Sequence, residues 1–195
     1  MKNVKKVIDL IINSNMYCIL NLENDGKKGN WLSKGLIFKD KFINLWRQIA
    51  NEFKDYDEHL IFESMDSFND LLYEGLYSYE NYNYSSLLTL TQSFIDIVRN
   101  SGGNNIDRLL IVSGANADLA LTCNSCYKIP IDIRNKTAVS IHYYVPNTFT
   151  LESDYSWSWI DFYGYEYIIE SDKSWGDDTD YNEIITNFEL FKNFF

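Results

Sequence analysis

Apolar residues recur along this chain in two rhythms. Val4, Val7, Ile8, Ile11 and Ile12 fall at helical spacing, which predicts an amphipathic helix over about Asn3–Ser14 with these five on its buried face. "MYCILNL", Met16–Leu22, is an apolar run of strand length, the kind buried on both faces of a parallel sheet. The glycine-bearing loop "ENDGKKGNW" follows it. Phe38, Phe42, Leu45, Trp46, Ile49 and Phe53 then mark the stripe of a second helix. "HLIFESM", His59–Met65, predicts the next strand, and the tyrosine-rich loop "YEGLYSYENYNY" leads to a third helix striped by Leu87, Leu90, Phe94, Ile97 and Val98. "SGGNN" ends that helix with glycines suited to left-handed backbone. "RLLIVSG" predicts a third strand and "TAVSIHYYVP", Thr137–Pro146, a fourth. The aromatic run "YSWSWIDFYGYEY" reads as a loop. A last helix from about Thr179 would bury Ile184, Ile185, Phe188 and Phe191.

Helices and short apolar strands therefore alternate, which implies an α/β fold with a parallel sheet and right-handed crossovers. No repeat and no linker composition divides the chain, so a single domain over residues 1–195 is expected. Polar residues gather just after the strands: Glu23, Asn24 and Asp25; Asp66 and Ser67; Asn116 and Asp118. His142 and Tyr144 end the fourth. Ligands bind α/β folds at the carboxyl ends of the strands, so these residues share one candidate face.

Composition narrows the partners. The 195 residues are 46% hydrophobic and 23% charged, ordinary for a globular protein. Fifteen Tyr, twelve Phe and five Trp serve core packing first, but exposed aromatic faces also stack on sugar rings. A net charge of -11 repels phosphate backbones, so nucleic acid is a poor partner, whereas a neutral polymer suffers no penalty. No apolar run approaches the ~20 residues that span a bilayer, so no membrane partner is expected. Lys2, Lys5 and Lys6 precede an apolar stretch, but Asp9 and Asn13 interrupt it, so no export signal is expected in this chain.

Cys123 and Cys126 form a C-x-x-C, yet only His59, His142 and Cys18 remain as further imidazole or thiol ligands. A redox pair would want the start of a helix after a strand. The pair reads as incidental to a loop, or as a local disulfide in an oxidising compartment. No metal or cofactor is expected.

The segments "LWRQIANEFKDYDEHLIFESM", "RNSGGNNIDRLLIVSGANADLALTCNS", "AVSIHYYVP" and "SWGDDTDYNEIITNFELFKNFF" closely resemble the catalytic domain of glycoside hydrolase family five, in its cellulase (endo-β-1,4-glucanase) branch. The resemblance covers nearly the whole chain. It implies a partial (β/α)₈ TIM barrel comprising about strands three to six with their helices. Family members are usually secreted hydrolases of polysaccharide. The expected activity is retaining hydrolysis of O-glycosidic bonds in β-glucan, with two carboxylic acids about 5 Å apart.

At the acid/base, the resemblance implies an Asn-Glu-Pro triplet after the fourth barrel strand. Here that triplet reads Asp66, Ser67, Phe68, so the glutamate position holds Ser67. Asp66 is offset by one residue and shorter by a methylene, and Glu63 lies deeper, as a paired or structural carboxylate. The nucleophile of the family lies on the seventh strand, beyond Phe195. The usual His-His of the third strand is replaced by Glu23 and Asn24, followed by a matching Asp25. The His-x-Tyr of the sixth strand survives as His142-Tyr143-Tyr144.

Glu23, Asn24, Asp66, His142, Tyr144, Trp157 and Trp159 are the candidate substrate-binding residues. The expectation is a cellulase-like chain with little or no hydrolysis. Its alternatives are a non-catalytic β-glucan-binding protein and a gene fragment without function. Strands three and six, "MYCILNL" and "TAVSIHYY", would be open sheet edges and invite self-association.

Overall fold

The computed structural model describes residues 1–23, 36, 38–66, 83–145, 150, 157–160, 166–169 and 176–194. Asn24, Asp25, Ser67 and nearly all of the tyrosine-rich loop lie outside the described residues. The chain forms two compact units, Met1–Ile141 and His142–Phe195.

The first unit is the alternating one. Its elements are α1 (Lys2–Asn13), β1 (Cys18–Asn21), α2 (Lys39–Phe53), β2 (Leu60–Glu63), α3 (Tyr84–Asn100), β3 (Leu110–Ser113), α4 (Leu119–Thr122) and β4 (Thr137–Ser140). The strands form one sheet in the order β1-β2-β3-β4. Every pairing is parallel, with Asn21 opposite Glu63, Glu63 opposite Ile111, and Ile111 opposite Ala138.

The core lies between the sheet and α2 and α3. Leu60 and Phe62 of β2 and Leu110 and Val112 of β3 are fully buried. Being two apart on each strand, each pair faces the same side. Trp46 of α2 meets Phe62 at 5.6 Å and Phe94 of α3 at 4.5 Å between ring centroids. Its indole Nε1 donates to the Ser64 carbonyl at 3.0 Å, so the buried polar atom is satisfied. Truncating a buried aromatic of this kind costs about 3–5 kcal/mol.

The glycines of "SGGNN" adopt the left-handed backbone expected of them, with φ of 78° at Gly102 and 57° at Gly103. Gly103 is doubly required, because a Cβ there would lie 2.6 Å from the Lys54 carbonyl oxygen.

Several expectations are corrected. The strands are shorter than their apolar runs, and the fourth stops at Ser140, so His142 and Tyr144 lie past its end. β1 is not buried on both faces. Cys18 is covered, but Ile19 is 55% exposed, because among the described residues β1 pairs only with β2, at the edge of the four-stranded sheet. Of the α1 stripe only Ile8 is buried; Val4 and Val7 are exposed, since α1 rests on that same edge strand. Polar contacts tie its flank to the end of α2 and the turn that follows: Lys5 Nζ lies 3.0 Å from Glu52 Oε1, and the Tyr56 hydroxyl donates to Asp9 Oδ1 at 2.5 Å. On α3, Ile95 is buried and Ile97 only half-buried.

The second unit contains β5 (Trp157–Ile160), β6 (Glu166–Ile169) and α5 (Asp178–Phe194). β5 and β6 pair antiparallel, with Trp157 opposite Ile169 and Trp159 opposite Tyr167. Parts of the segment read as an aromatic loop are thus strands; the alternation Trp157-Ser158-Trp159 is the period-2 signal that the loop reading passed over.

Helix α5 opens with reciprocal capping: Asp177 Oδ1 accepts from the Thr179 and Asp180 amides at 2.8 and 2.9 Å, and Asp180 Oδ2 from the Gly176 amide at 2.8 Å. Its apolar stripe is uncovered rather than buried. Phe188 is 51% exposed, Ile185 is exposed as well, and Ile184 and Phe191 are half-buried. Periodicity identifies the apolar face of a helix but not what covers it.

Candidate functional site

The helix-facing side of the sheet is taken by Leu60, Phe62, Leu110 and Val112, so alternation sends Asn21, Glu63, Ile111 and Ala138 to the opposite face. Glu63 is half-buried there and accepts from Asn21 Nδ2 at 3.4 Å. It is a paired carboxylate inside the ladder, as its depth suggested.

The strand ends beyond this rung are stitched to one another. The Asp66 amide donates to the Leu22 carbonyl at 3.4 Å, linking the exits of β2 and β1. Ser113 Oγ donates to the Asp66 carbonyl at 3.3 Å and to the Gly114 carbonyl at 2.9 Å, linking β3 to β2. The Gly114 amide donates to the Ser140 carbonyl at 2.8 Å, linking β3 to β4. Close approach explains this glycine: a Cβ would meet Thr122 Oγ1 at 2.3 Å and the Ser140 carbonyl at 3.1 Å.

After Gly114 the backbone turns sharply, with Asn116 and Ala117 both left-handed at φ 51° and 52°. Asp118 then caps α4 by accepting from the Leu121 amide at 2.8 Å, and Thr122 Oγ1 donates to its carbonyl at 2.6 Å. Asp118 is therefore held as a helix cap.

The C-x-x-C follows α4 rather than opening a helix. All three cysteines are free; Cys123 is half-buried and Cys126 exposed. Burial, and then the nearby Asp118 charge, push the Cys123 thiol up, opposite to the shift that makes a reactive thiolate. Among the described residues no group of three or more His, Cys, Asp or Glu could hold a metal, and no helix is long and apolar enough to cross a membrane.

The candidate substrate contacts fall in both units. Glu23 is exposed just past β1, and Asp66 is half-buried past β2. In the second unit the structure brings His142 and Tyr144 together, their rings edge-to-face with centroids 6.2 Å apart. Tyr144 is 56% exposed. Trp157 and Trp159 lie two apart on β5. Sequence reasoning passed over Tyr143 between the two site residues. Its hydroxyl accepts from Asn187 Nδ2 at 3.2 Å, and its ring meets Phe188 at 5.3 Å. The signal was its alternation with His142 and Tyr144 together with the apolar stripe of α5.

A family model described as Cellulase (glycosyl hydrolase family 5) matches residues 1–192. Endoglucanase A of Paenibacillus barcinonensis is 33% identical over 172 residues, covering 79% of this chain and 42% of that protein. Among solved structures, a GH5-4 broad specificity endoglucanase from an uncultured bovine rumen ciliate superposes with a TM-score of 0.88 at 49% identity, over 100% of this chain and 53% of that one. A GH5 lichenase mutant from Caldicellulosiruptor sp. F32, in complex with cellotetraose, gives a TM-score of 0.76 at 25% identity, over 98% of this chain and 52% of that one. The chain spans about half the length of these relatives. Four parallel strands with their helices, covered end to end by such neighbours, make the fold a partial (β/α)₈ barrel.

Proposed function

The chain belongs to glycoside hydrolase family 5, the cellulase family, and from that membership we propose that it engages β-1,4-linked glucan while glycosidic cleavage is lost or strongly reduced. The observation that carries this reading is the residue at the acid/base position: "SMDSF" has Ser67 where the family resemblance calls for glutamate.

Retaining hydrolysis needs one carboxylic acid to protonate the leaving oxygen and then activate water, and a second to attack the sugar carbon. A serine hydroxyl is far too weak an acid to protonate a departing glycosidic oxygen near neutral pH. Loss of general acid/base help removes about 10²–10⁴-fold of rate. Asp66 offers no ready substitute. It stands one residue earlier than the acid position, and its main-chain groups are tied to Leu22 and Ser113.

Retained binding is supported by the surviving His142-x-Tyr144 pair and by the exposure of Tyr144. The polymer class follows from relatives named endoglucanases and from a lichenase neighbour that holds cellotetraose.

The test is a pair of measurements on the purified chain. Reducing-sugar release from soluble β-glucan should match a heat-treated control, while titration calorimetry with cello-oligosaccharides should show binding. Release clearly above the control overturns the loss of hydrolysis. Absence of heat across the oligosaccharide series overturns the engagement.

A further inference from the structure

We infer that Tyr143 is a positioning residue that fixes the His142–Tyr144 pair by anchoring the intervening backbone to α5. The inference rests on the reading of that pair as a glucan contact, and it concerns a residue that the reading leaves without a role.

Three consecutive aromatic side chains do two different jobs here. His142 and Tyr144 turn to each other, at 87° between ring planes, with Tyr144 56% exposed. Tyr143 makes its contacts elsewhere. Its hydroxyl accepts from Asn187 Nδ2, and its ring tilts at 53° against Phe188. Asn187 and Phe188 adjoin on α5, so one helix grips both ends of the tyrosine, ring and hydroxyl.

The grip matters because the segment has no ladder to hold it. β4 ends at Ser140, and residues 141–145 belong to no strand or helix. A ring pair on irregular backbone keeps its direction only if something fixes that backbone. The Tyr143 contacts supply two fixed points between the two site residues. Sugar stacking demands such fixing, since an aromatic platform that wanders loses rotational entropy again at each binding event. The contacts also explain why Phe188 and Asn187, on a helix with no fully buried residue, are not surplus: they are the seat of the site segment.

The chain has only two histidines, which makes the test direct. His59 stacks on Tyr17 at 4.7 Å and lies beside Asp57 in the first unit, so its imidazole signal is an internal control. Carbon–proton NMR of the two imidazoles is recorded for wild type, Tyr143→Phe, Asn187→Ala, the double variant and Tyr143→Ala, with cello-oligosaccharide affinity alongside. Tyr143→Ala should move or broaden the His142 signal, leave His59 in place, and weaken binding about three- to tenfold. Tyr143→Phe keeps the ring seat on Phe188 and loses only the acceptor, so it should retain most of the affinity. Its effect and that of Asn187→Ala should not add in the double variant, because both remove one shared bond.

An unchanged His142 signal in Tyr143→Ala overturns the inference, and so does equal displacement of His59, which would mark a general loss of structure. If wild type binds no oligosaccharide, the glucan reading fails, and the imidazole spectra still decide whether Tyr143 positions the pair.

Discussion

The guanidinium of Arg108 lies 4.8 Å over the ring of Phe62, with the arginine itself buried. Its donors are spent on main-chain carbonyls at the junction of α2 and β2: Phe53 at 3.1 Å, Tyr56 at 2.7 Å, Asp57 at 2.9 Å, and Leu60. Nε donates to Asn105 Oδ1 at 2.6 Å. Burial draws the group down to about 10, which leaves it charged at neutral pH. One side chain thus ties the end of α2 to the turn into β2, adding to donors that already reach three of these carbonyls: the Tyr56 amide on Phe53, Asn104 Nδ2 on Tyr56 and the Leu60 amide on Asp57.

Replacing Arg108 should therefore be costly. Arg108→Met keeps the stem but removes the five hydrogen bonds of the guanidinium, and a loss of about 3 kcal/mol or more is expected. Arg108→Lys should rescue little, because an ammonium lacks the planar fork that reaches these carbonyls together. Urea denaturation monitored by far-ultraviolet circular dichroism checks both.

Acid should weaken the fold partly through Asp132. Arg99 grips this carboxylate with Nε at 3.0 Å and Nη2 at 2.8 Å, and the Thr137 hydroxyl and the Arg134 and Lys136 amides add to it. The Arg99 hydrogen bonds, foremost among these, hold the carboxyl well below the usual range. A depressed folded value contributes stability that is fully present above the ordinary aspartate value of about 3.9 and is lost as pH falls below it. Asp132→Asn should lower stability at neutral pH by about 3 kcal/mol and flatten this acid limb. Thermal melts at a series of pH values between neutrality and strong acid are the measurement.

Sugar affinity should depend on aromatic residues of the second unit. The Tyr144→Ala, Trp157→Ala double variant should lose about tenfold or more in cello-oligosaccharide affinity, at about 1–2 kcal/mol for removing an aromatic face. Equal calorimetric titrations for variant and wild type would show that the bound sugar sits elsewhere.

Self-association is the expected behaviour of the sheet. Among the described residues β1 and β4 each pair with a single neighbour, and Ile19 on β1 stands exposed. Unpaired parallel edges recruit further strands, and a negative charge of -11 slows this without satisfying the backbone groups. Sedimentation velocity over a range of concentrations should show species larger than a monomer. A compact monomer at every concentration would mean that these edges are covered.

Much of this architecture was legible in the residues themselves. Phe42, Trp46, Ile49 and Phe53 of α2, Leu87, Leu90, Phe94 and Val98 of α3, the strands β2 and β3 within their apolar runs, and the left-handed glycines at 102 and 103 emerged as the local pattern required. These features are short-range: a helix repeats within four residues, a strand within two, and a positive φ needs only a missing Cβ. The motif positions, Ser67 and the His142-x-Tyr144 pair among them, are equally local. What the tertiary structure alone decided is cover and partnership. The same apolar periodicity is buried in α2 and open in α5, and β1 has a strand's composition but an edge's exposure. The carbonyls held by Arg108 at Asp57 and Phe53 stand 51 and 55 residues away in sequence, and Tyr143 finds Asn187 44 residues on. Burial and hydrogen-bond pairing depend on which distant segment arrives alongside, and no local period encodes that arrival.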